Sequence, residues 1–136
     1  MSRYLFVYGS LLPELAPPQI RSAMAGLRSL GPATTSGRLY DLGSHPGMVL
    51  DSGTGCVHGQ AFELHDPGKV FEELDAYEGY DPQRPNESLF VRVLRPVHLA
   101  NHDEIAAWVY VYQGPVQQAT LIPDGDYLAW RQGSHS

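Results

Sequence analysis

Short apolar runs alternate along the chain with glycine- and proline-rich breaks, a punctuation that predicts a compact mixed or mostly β domain. Residues 3–8, which include Tyr4-Leu5-Phe6-Val7-Tyr8, read as an opening strand apolar enough to be buried on both faces. Gly9 and Ser10 break that run, and Pro13 keeps the chain out of a sheet. A first helix is predicted from Pro17 or Pro18 to about Leu30. Proline suits its first turn, Ile20, Met24 and Leu27 recur at helical spacing, and Gly31-Pro32 stops it. Residues 37–41, 47–51 and 57–64 follow as short strands. The last of these alternates, with Val57, Gly59, Ala61 and Glu63 on one face and His58, Gln60, Phe62 and Leu64 on the other.

A second helix has clear ends. Asp66 suits the N-cap, Pro67 the first helical position and Gly79 the stop, with Val70, Phe71, Leu74 and Tyr77 at helical spacing between them. Residues 88–98 and 104–112 are rich in Val, Phe, Tyr and Trp and read as strands. The turn chemistry of Asn101-His102-Asp103 makes them an antiparallel pair. The tail from Ile122 to Trp130 closes with a short helix, where Tyr127 and Trp130 cap the core.

The bulk numbers narrow the setting. A chain of 136 residues suits one domain, spanning 1–136, with a sizeable core. Apolar residues at 43% and charged residues at 18% exclude a disordered chain. No apolar run approaches the roughly 20 residues that span a bilayer, and the first residues lack a signal-peptide pattern. Cys56 is the sole cysteine, so no internal disulfide is available and a reducing, cytoplasmic setting is expected. A formal charge of -6 argues against nucleic acid and against an anionic membrane as partners, and leaves a neutral or zwitterionic small molecule. Oligomeric state is not legible.

One carboxylate stands out on the second helix. At about 100° per residue, Val70, Phe71, Leu74 and Tyr77 define an apolar stripe. Glu78 falls inside it, between Leu74 and Phe71. Glu72 and Glu73 lie well outside, and Asp75 sits beyond the edge, so all three read as solvated surface. Burial raises a carboxylate's pKa, and the last turn of a helix further disfavours negative charge. A carboxylate in that position can serve as a general base near neutral pH. The alternative is a helix that frays early and leaves Glu78 in water.

At the other end of the chain, Tyr8-Gly9-Ser10-Leu11 closes the opening strand. Glycine permits a close approach to the backbone, and successive N–H groups in such a turn can hold an anion. An ordinary tight turn would have the same letters. Order and position add specificity. A strand near the amino terminus ending in YGSL resembles the substrate loop of the gamma-glutamylcyclotransferase-like (AIG2-like) family, and Leu74-Asp75-Ala76-Tyr77-Glu78-Gly79-Tyr80 is similar to its LDxxEGY segment. Phe90-Val91-Arg92 matches the family's aromatic-x-Arg strand, and the segment from Ala107 to Tyr112 matches its late tyrosine-containing strand. Family members often carry Tyr where Phe90 stands, and the loop from Asp81 to Ser88, with Pro82 and Pro85, is not matched in length.

That resemblance implies an α+β fold, a small mixed β-barrel flanked by short helices with a cavity at one end. It implies an enzyme that closes a small gamma-glutamyl amide onto itself, releasing 5-oxoproline and an amine or amino acid. Glu78 would be the general acid and base, and Tyr8, Gly9, Ser10 and Leu11 would bind substrate, joined by Arg92 and Tyr110. No metal or organic cofactor is required. A binding protein with the same cavity and no turnover is the alternative, and a tailoring enzyme acting on a gamma-glutamylated intermediate would differ only in substrate.

Other residues have competing readings. Arg92 could pair with Glu78, with a substrate carboxylate, or with nothing in particular at the surface. Trp108, Tyr110 and Tyr112 share one strand face, which suits core packing. His45, His58 and His65 lack the close spacing of a zinc site. Cys56 and His58 lie two apart on a strand and so face one side, but no activating partner for a thiol is evident.

Overall fold

The computed structural model describes residues 2–9, 12, 17–25, 27–43, 45–50, 53 and 55–132. In chain order the elements are β1 (Tyr4–Val7), α1 (Pro18–Ala25), β2 (Arg28–Ser36), β3 (Arg38–Asp41), β4 (Pro46–Val49), β5 (Cys56–Glu63), α2 (Pro67–Glu78), β6 (Phe90–Leu99), β7 (Glu104–Tyr112), β8 (Thr120–Ile122) and α3 (Tyr127–Gln132). A 3-10 turn, Pro85–Glu87, occupies the loop before β6.

Five strands close into a barrel in the order β1-β5-β2-β6-β7. All its pairings are antiparallel except the closing one, where β1 runs parallel to β7 with Leu5 opposite Trp108. The remaining strands form a small sheet, β4-β3-β8. The architecture is α+β, as expected.

The alternation of side chains on β1 divides the core in two. Leu5 and Val7 pack with Ile20, Met24, Phe71 and Leu74, filling the space between the barrel and helices α1 and α2. Phe6 and Tyr8 pack with Ala33, Val57, Ala61, Val97, Val109 and Val111 of the strands. Both faces of β1 are therefore buried, which explains why its sequence shows no polar side.

The second helix obeys its end signals. The Asp66 side chain accepts from the Lys69 N–H at 3.3 Å, and Gly79 stands in the left-handed region at φ 73°. There the Gly79 N–H donates to the Ala76 carbonyl at 3.3 Å and the Tyr80 N–H to the Asp75 carbonyl at 2.9 Å. Two carbonyls of the last turn are thus satisfied without an added side chain at Gly79, where a Cβ would carry the penalty of a positive φ.

The first helix is shorter than its periodicity predicts. It stops at Ala25, and Arg28–Ser36 is a barrel strand. Pairing with β5 from Arg28↔Glu63 to Ser36↔Cys56 overrides the helical spacing of Leu27 and Leu30. Gly31, at φ 89°, takes up a shift in register between Ser29 and Gly31, so Gly31-Pro32 marks a bulge inside a strand rather than the end of a helix. β8 was also not anticipated, since three residues become a strand only by pairing with β3.

Strand β5 approaches β1 so closely at Gly59 that a Cβ there would lie 2.0 Å from the Val7 carbonyl oxygen and 2.9 Å from Phe6 Cζ. Gly59→Ala should therefore cost about 1–3 kcal/mol through overpacking. Chemical denaturation, comparing midpoints at unchanged slope, measures it.

Candidate active site

The C-terminal end of β1 and the C-terminal end of α2 meet at a narrow hollow of about 330 Å³ of space between atoms. Its walls are Phe6, Val7, Tyr8 and Gly9 from β1 and the residues after it, His45 and Pro46 from the small sheet, Glu78 from α2, Phe90 from β6 and Tyr110 from β7. The open space within it is only about 20 Å³, room for one water-sized group, so a larger ligand enters it with one end. A larger and more open groove runs over β2, β5 and the turn after β6, lined by Thr34, His58, Gln60, His98 and His102. Its histidines are exposed and it contains no glutamate, so volume alone does not point to the chemistry.

Glu78 is held by the packing of its own helix. Phe71, Leu74 and Asp75 are the buried residues of α2, and they place the buried sector about 50° closer to Asp75 than the apolar stripe suggests. Glu78 then lies near the middle of that sector. Glu78 itself is half-buried, and loss of hydration drives its carboxyl up from an ordinary 4.5 to about 7. The ionised form meets a second penalty at the end of the helix, where the backbone dipole is negative.

Tyr8 and Tyr110 flank that carboxyl. Tyr8 is buried, and its hydroxyl donates to the Tyr110 carbonyl at 2.6 Å while accepting from the Met48 N–H at 3.1 Å. Burial pushes the Tyr8 phenol far up, the Glu78 charge adds to this, and the Met48 amide partly offsets it. Tyr110 is raised further, by burial first and then by its hydrogen bond to Asp75. Neither phenol ionises at any ordinary pH, so Glu78 and His45 are the groups of the hollow's lining that can take up a proton near neutrality.

Gly9 completes the rim. A Cβ on it would fall 2.4 Å from Pro46 Cγ, so only glycine lets the chain leave β1 this close to the small sheet. Pro46 is positioned by the pairing of β4 with β3, and the Met48 amide of the same strand anchors Tyr8. The small sheet thus supplies one lip of the hollow.

Of the residues the sequence nominates, Tyr8, Gly9, Glu78 and Tyr110 share this hollow. Ser10 and Leu11, like Pro13, lie outside the described residues. Arg92 is not among the lining residues. Its guanidinium pairs with Asp75, Nε to Oδ1 at 3.0 Å and Nη2 to Oδ2 at 3.3 Å, and lies 4.1 Å from the Phe71 ring centre and 4.6 Å from that of Trp108. Asp75 is accordingly buried, and the expectation that it is solvated surface is corrected. A half-buried arginine on β6 favours a carboxylate partner, and Asp75 on α2 supplies it. The signal for it was the register: Arg92 sits directly opposite Tyr110, on the face that α2 covers.

Two further wall residues, His45 and Phe90, have ring centres 5.8 Å apart. Cys56 and His58 are exposed on β5 and neither lines the hollow. Among the described residues no group of three or more His, Cys, Asp or Glu is placed to hold a metal ion. Among them, too, no helix is long and apolar enough to cross a membrane.

The raised Glu78 carboxyl is also a statement about stability. Below about pH 4.5 it is protonated in the folded and unfolded chain alike. As pH rises from there to about 7, only the unfolded chain ionises, so the folded state loses stability, and above that window the loss is complete. Glu78→Gln should therefore stabilise the protein by about 1–3 kcal/mol at pH 8 and not at pH 4. Urea titrations at the two pH values read this difference. Gly9→Ala should cost about 1–3 kcal/mol, because Pro46 must give way.

Comparison with known proteins agrees with this architecture. Residues 5–129 match the family described as gamma-glutamyl cyclotransferase, AIG2-like. The gamma-glutamylcyclotransferase family protein YtfP of Escherichia coli strain K12 is 33% identical over 125 residues, 91% of this chain and 95% of that protein. The solution NMR structure of ytfP from Escherichia coli superposes with a TM-score of 0.62 at 31% identity, covering 94% of this chain and 98% of that one. A crystal structure of an AIG2-like protein from Mus musculus superposes with a TM-score of 0.63 over 83% of this chain and 80% of that one; at 21% identity it shows the shared fold. With a match across nearly its whole length, the chain belongs to the gamma-glutamyl cyclotransferase, AIG2-like family.

Proposed function

We propose that the protein is a gamma-glutamyl cyclotransferase that releases 5-oxoproline and an amine or amino acid from a small gamma-glutamyl amide, with Glu78 moving the protons. The observation that carries this reading is a half-buried carboxyl on the wall of a small hollow beside the end of β1, its pKa raised to about 7 by lost hydration, in a chain of this family.

A gamma-glutamyl amide holds its own nucleophile. The α-nitrogen reaches the side-chain carbonyl carbon through a five-membered ring, so no second molecule has to be captured. What the reaction needs is a neutral amine, and near pH 7 the α-amino group is mostly an ammonium ion. Ionised Glu78 takes one proton from it. The nitrogen attacks the carbonyl carbon and forms the ring bond, and the carbonyl oxygen becomes an oxyanion. As the oxyanion collapses, the bond to the departing nitrogen breaks and Glu78 returns the proton there. The second proton lost by the ring nitrogen follows the same route. No water is consumed, and Glu78 ends as it began.

A pKa near 7 suits both halves of that cycle, since a weaker base would not accept the proton and a stronger one would not return it. Backbone N–H groups of residues 9–11 are proposed to hold the α-carboxylate or the oxyanion, the role that amides at a tight turn can serve. Tyr8 and Tyr110 are proposed to contact the glutamyl group. Arg92 is proposed to act at one remove, through Asp75 and Tyr110. The hollow has room for only the reacting end of the substrate, so the rest of the molecule, the amine substituent included, would extend from its mouth.

Mass spectrometry of a panel of gamma-glutamyl amines and dipeptides, glutathione included, should detect 5-oxoproline with at least one member. Glu78→Gln should lower that turnover by about 100- to 10,000-fold. Equal rates for the two proteins would remove Glu78 from the mechanism, and binding without turnover by the wild type would make this a binding protein. The acidic limb of kcat/KM against pH should have its midpoint near 7, where the free enzyme's Glu78 ionises. A midpoint near 4.5, the ordinary carboxyl value, would contradict the buried base.

A further inference from the structure

The hydrogen bonds behind the hollow decide which way its hydroxyls point. Tyr110 has one hydroxyl proton, and it is given to Asp75 Oδ1 at 2.6 Å. Asp75 receives the Arg92 fork on both of its oxygens as well, at 3.0 and 3.3 Å. Arginine stays charged in proteins and has no acceptor, so its partner Asp75 is held as an acceptor only. The side chains of Arg92 and Asp75 are only 17% and 11% exposed, which keeps water from competing for these bonds. The Arg92 guanidinium is further fixed against the rings of Phe71 and Trp108.

The consequence is on the other side of the tyrosine. With its proton committed to Asp75, the Tyr110 oxygen can present only lone pairs to the hollow. Tyr8 is in the same state, its proton given to the Tyr110 carbonyl at 2.6 Å. Ionised Glu78 is an acceptor too. The side-chain oxygens of Tyr8, Tyr110 and Glu78 thus accept hydrogen bonds and none of the three donates, and His45 is the other polar side chain of the lining. The group that satisfies such a lining has several protons to give, as a primary ammonium does.

We propose that Asp75 is a positioning residue: by taking the Tyr110 proton it turns the hollow into a receptor for the α-ammonium of the glutamyl group, and so sets the reacting nitrogen beside Glu78. This rests on the gamma-glutamyl reading above and adds the orientation of the substrate to it. Asp75 itself stays behind Tyr110, shielded by Arg92. An α-carboxylate beside Tyr8, Tyr110 and Glu78 would face three acceptor oxygens, so it is turned away from them.

The test compares two ligands by calorimetry, a gamma-glutamyl amide and the same molecule without its α-amino group, a glutaric acid monoamide. Wild type should prefer the amine-bearing ligand by about 10-fold or more, as expected for hydrogen bonds to a charged group. Asp75→Asn keeps the shape, but its amide can donate to the Tyr110 oxygen and frees the phenol proton to point into the hollow. Its preference should fall to near parity. Tyr110→Phe keeps the Asp75–Arg92 pair and removes the acceptor, and it should lose the preference in the same way. A merely structural role would weaken both ligands alike and leave their ratio unchanged. A folded Asp75→Asn protein with the wild-type ratio overturns the proposal; should that variant not fold, the unchanged ratio in Tyr110→Phe does so. Those outcomes leave the cyclotransferase reading standing, whereas a wild type that neither binds nor cyclises any gamma-glutamyl amide removes both.

Discussion

A carboxyl group half-buried at the end of a helix loses much of its hydration and gains only a negative dipole end in exchange, and the rest of this structure is arranged so that Glu78 stays there. The helix cannot unwind to release it, because Asp66 caps one end and the left-handed Gly79 closes the other. It cannot roll, because Phe71 and Leu74 are buried in the core and Asp75 is forked to Arg92. The unfavourable position of one acid is thereby maintained by ordinary contacts whose sum outweighs the penalty. That is the physical condition for a base near pKa 7.

The barrel supplies the opposite wall for a different reason. A closed sheet needs every strand to pair on both edges, and β1 achieves this by lying antiparallel to β5 and parallel to β7. Its end is then fixed relative to β7, which carries Tyr110, and through the β6–β7 ladder to Arg92 and Phe90. The small β4-β3-β8 sheet presses Pro46 against Gly9 and gives the Met48 amide to Tyr8. Five separate parts of the chain converge on one small space. None of them is close to another in sequence.

A pair of buried networks divides the polar work. Tyr8 ties β1 to β4 and β7, and Tyr110 ties β7 to α2 through Asp75. Both hydroxyls give their protons to protein groups, so neither leaves an unpaired donor in the hollow. Glu78 is the exception that such a design leaves available for chemistry, and the proposed cyclisation uses it.

Local rules were sufficient wherever one residue decides the outcome. The ends of α2 follow from Asp66, Pro67 and Gly79, the β6–β7 turn follows from the residues around His102, and the spacing of Phe71 and Leu74 already puts Glu78 on an apolar face. The YGSL and LDxxEGY blocks, read in order, were enough to suggest the family and its α+β barrel. Local rules failed where pairing with a distant segment decides. Leu27 and Leu30 have helical spacing, yet residue 28 onward is a strand because β5 offers a ladder that a helix would forgo. Asp75 looks solvated on its own helix, and its burial depends on an arginine that arrives 17 residues later on a strand facing it. What the amino-acid order determined unaided was the set of elements with strong caps and turns, and the one misplaced acid. Which side chains meet around that acid, and which way their protons point, was decided only by closure of the barrel, since contacts between residues far apart in the chain leave no periodicity to read.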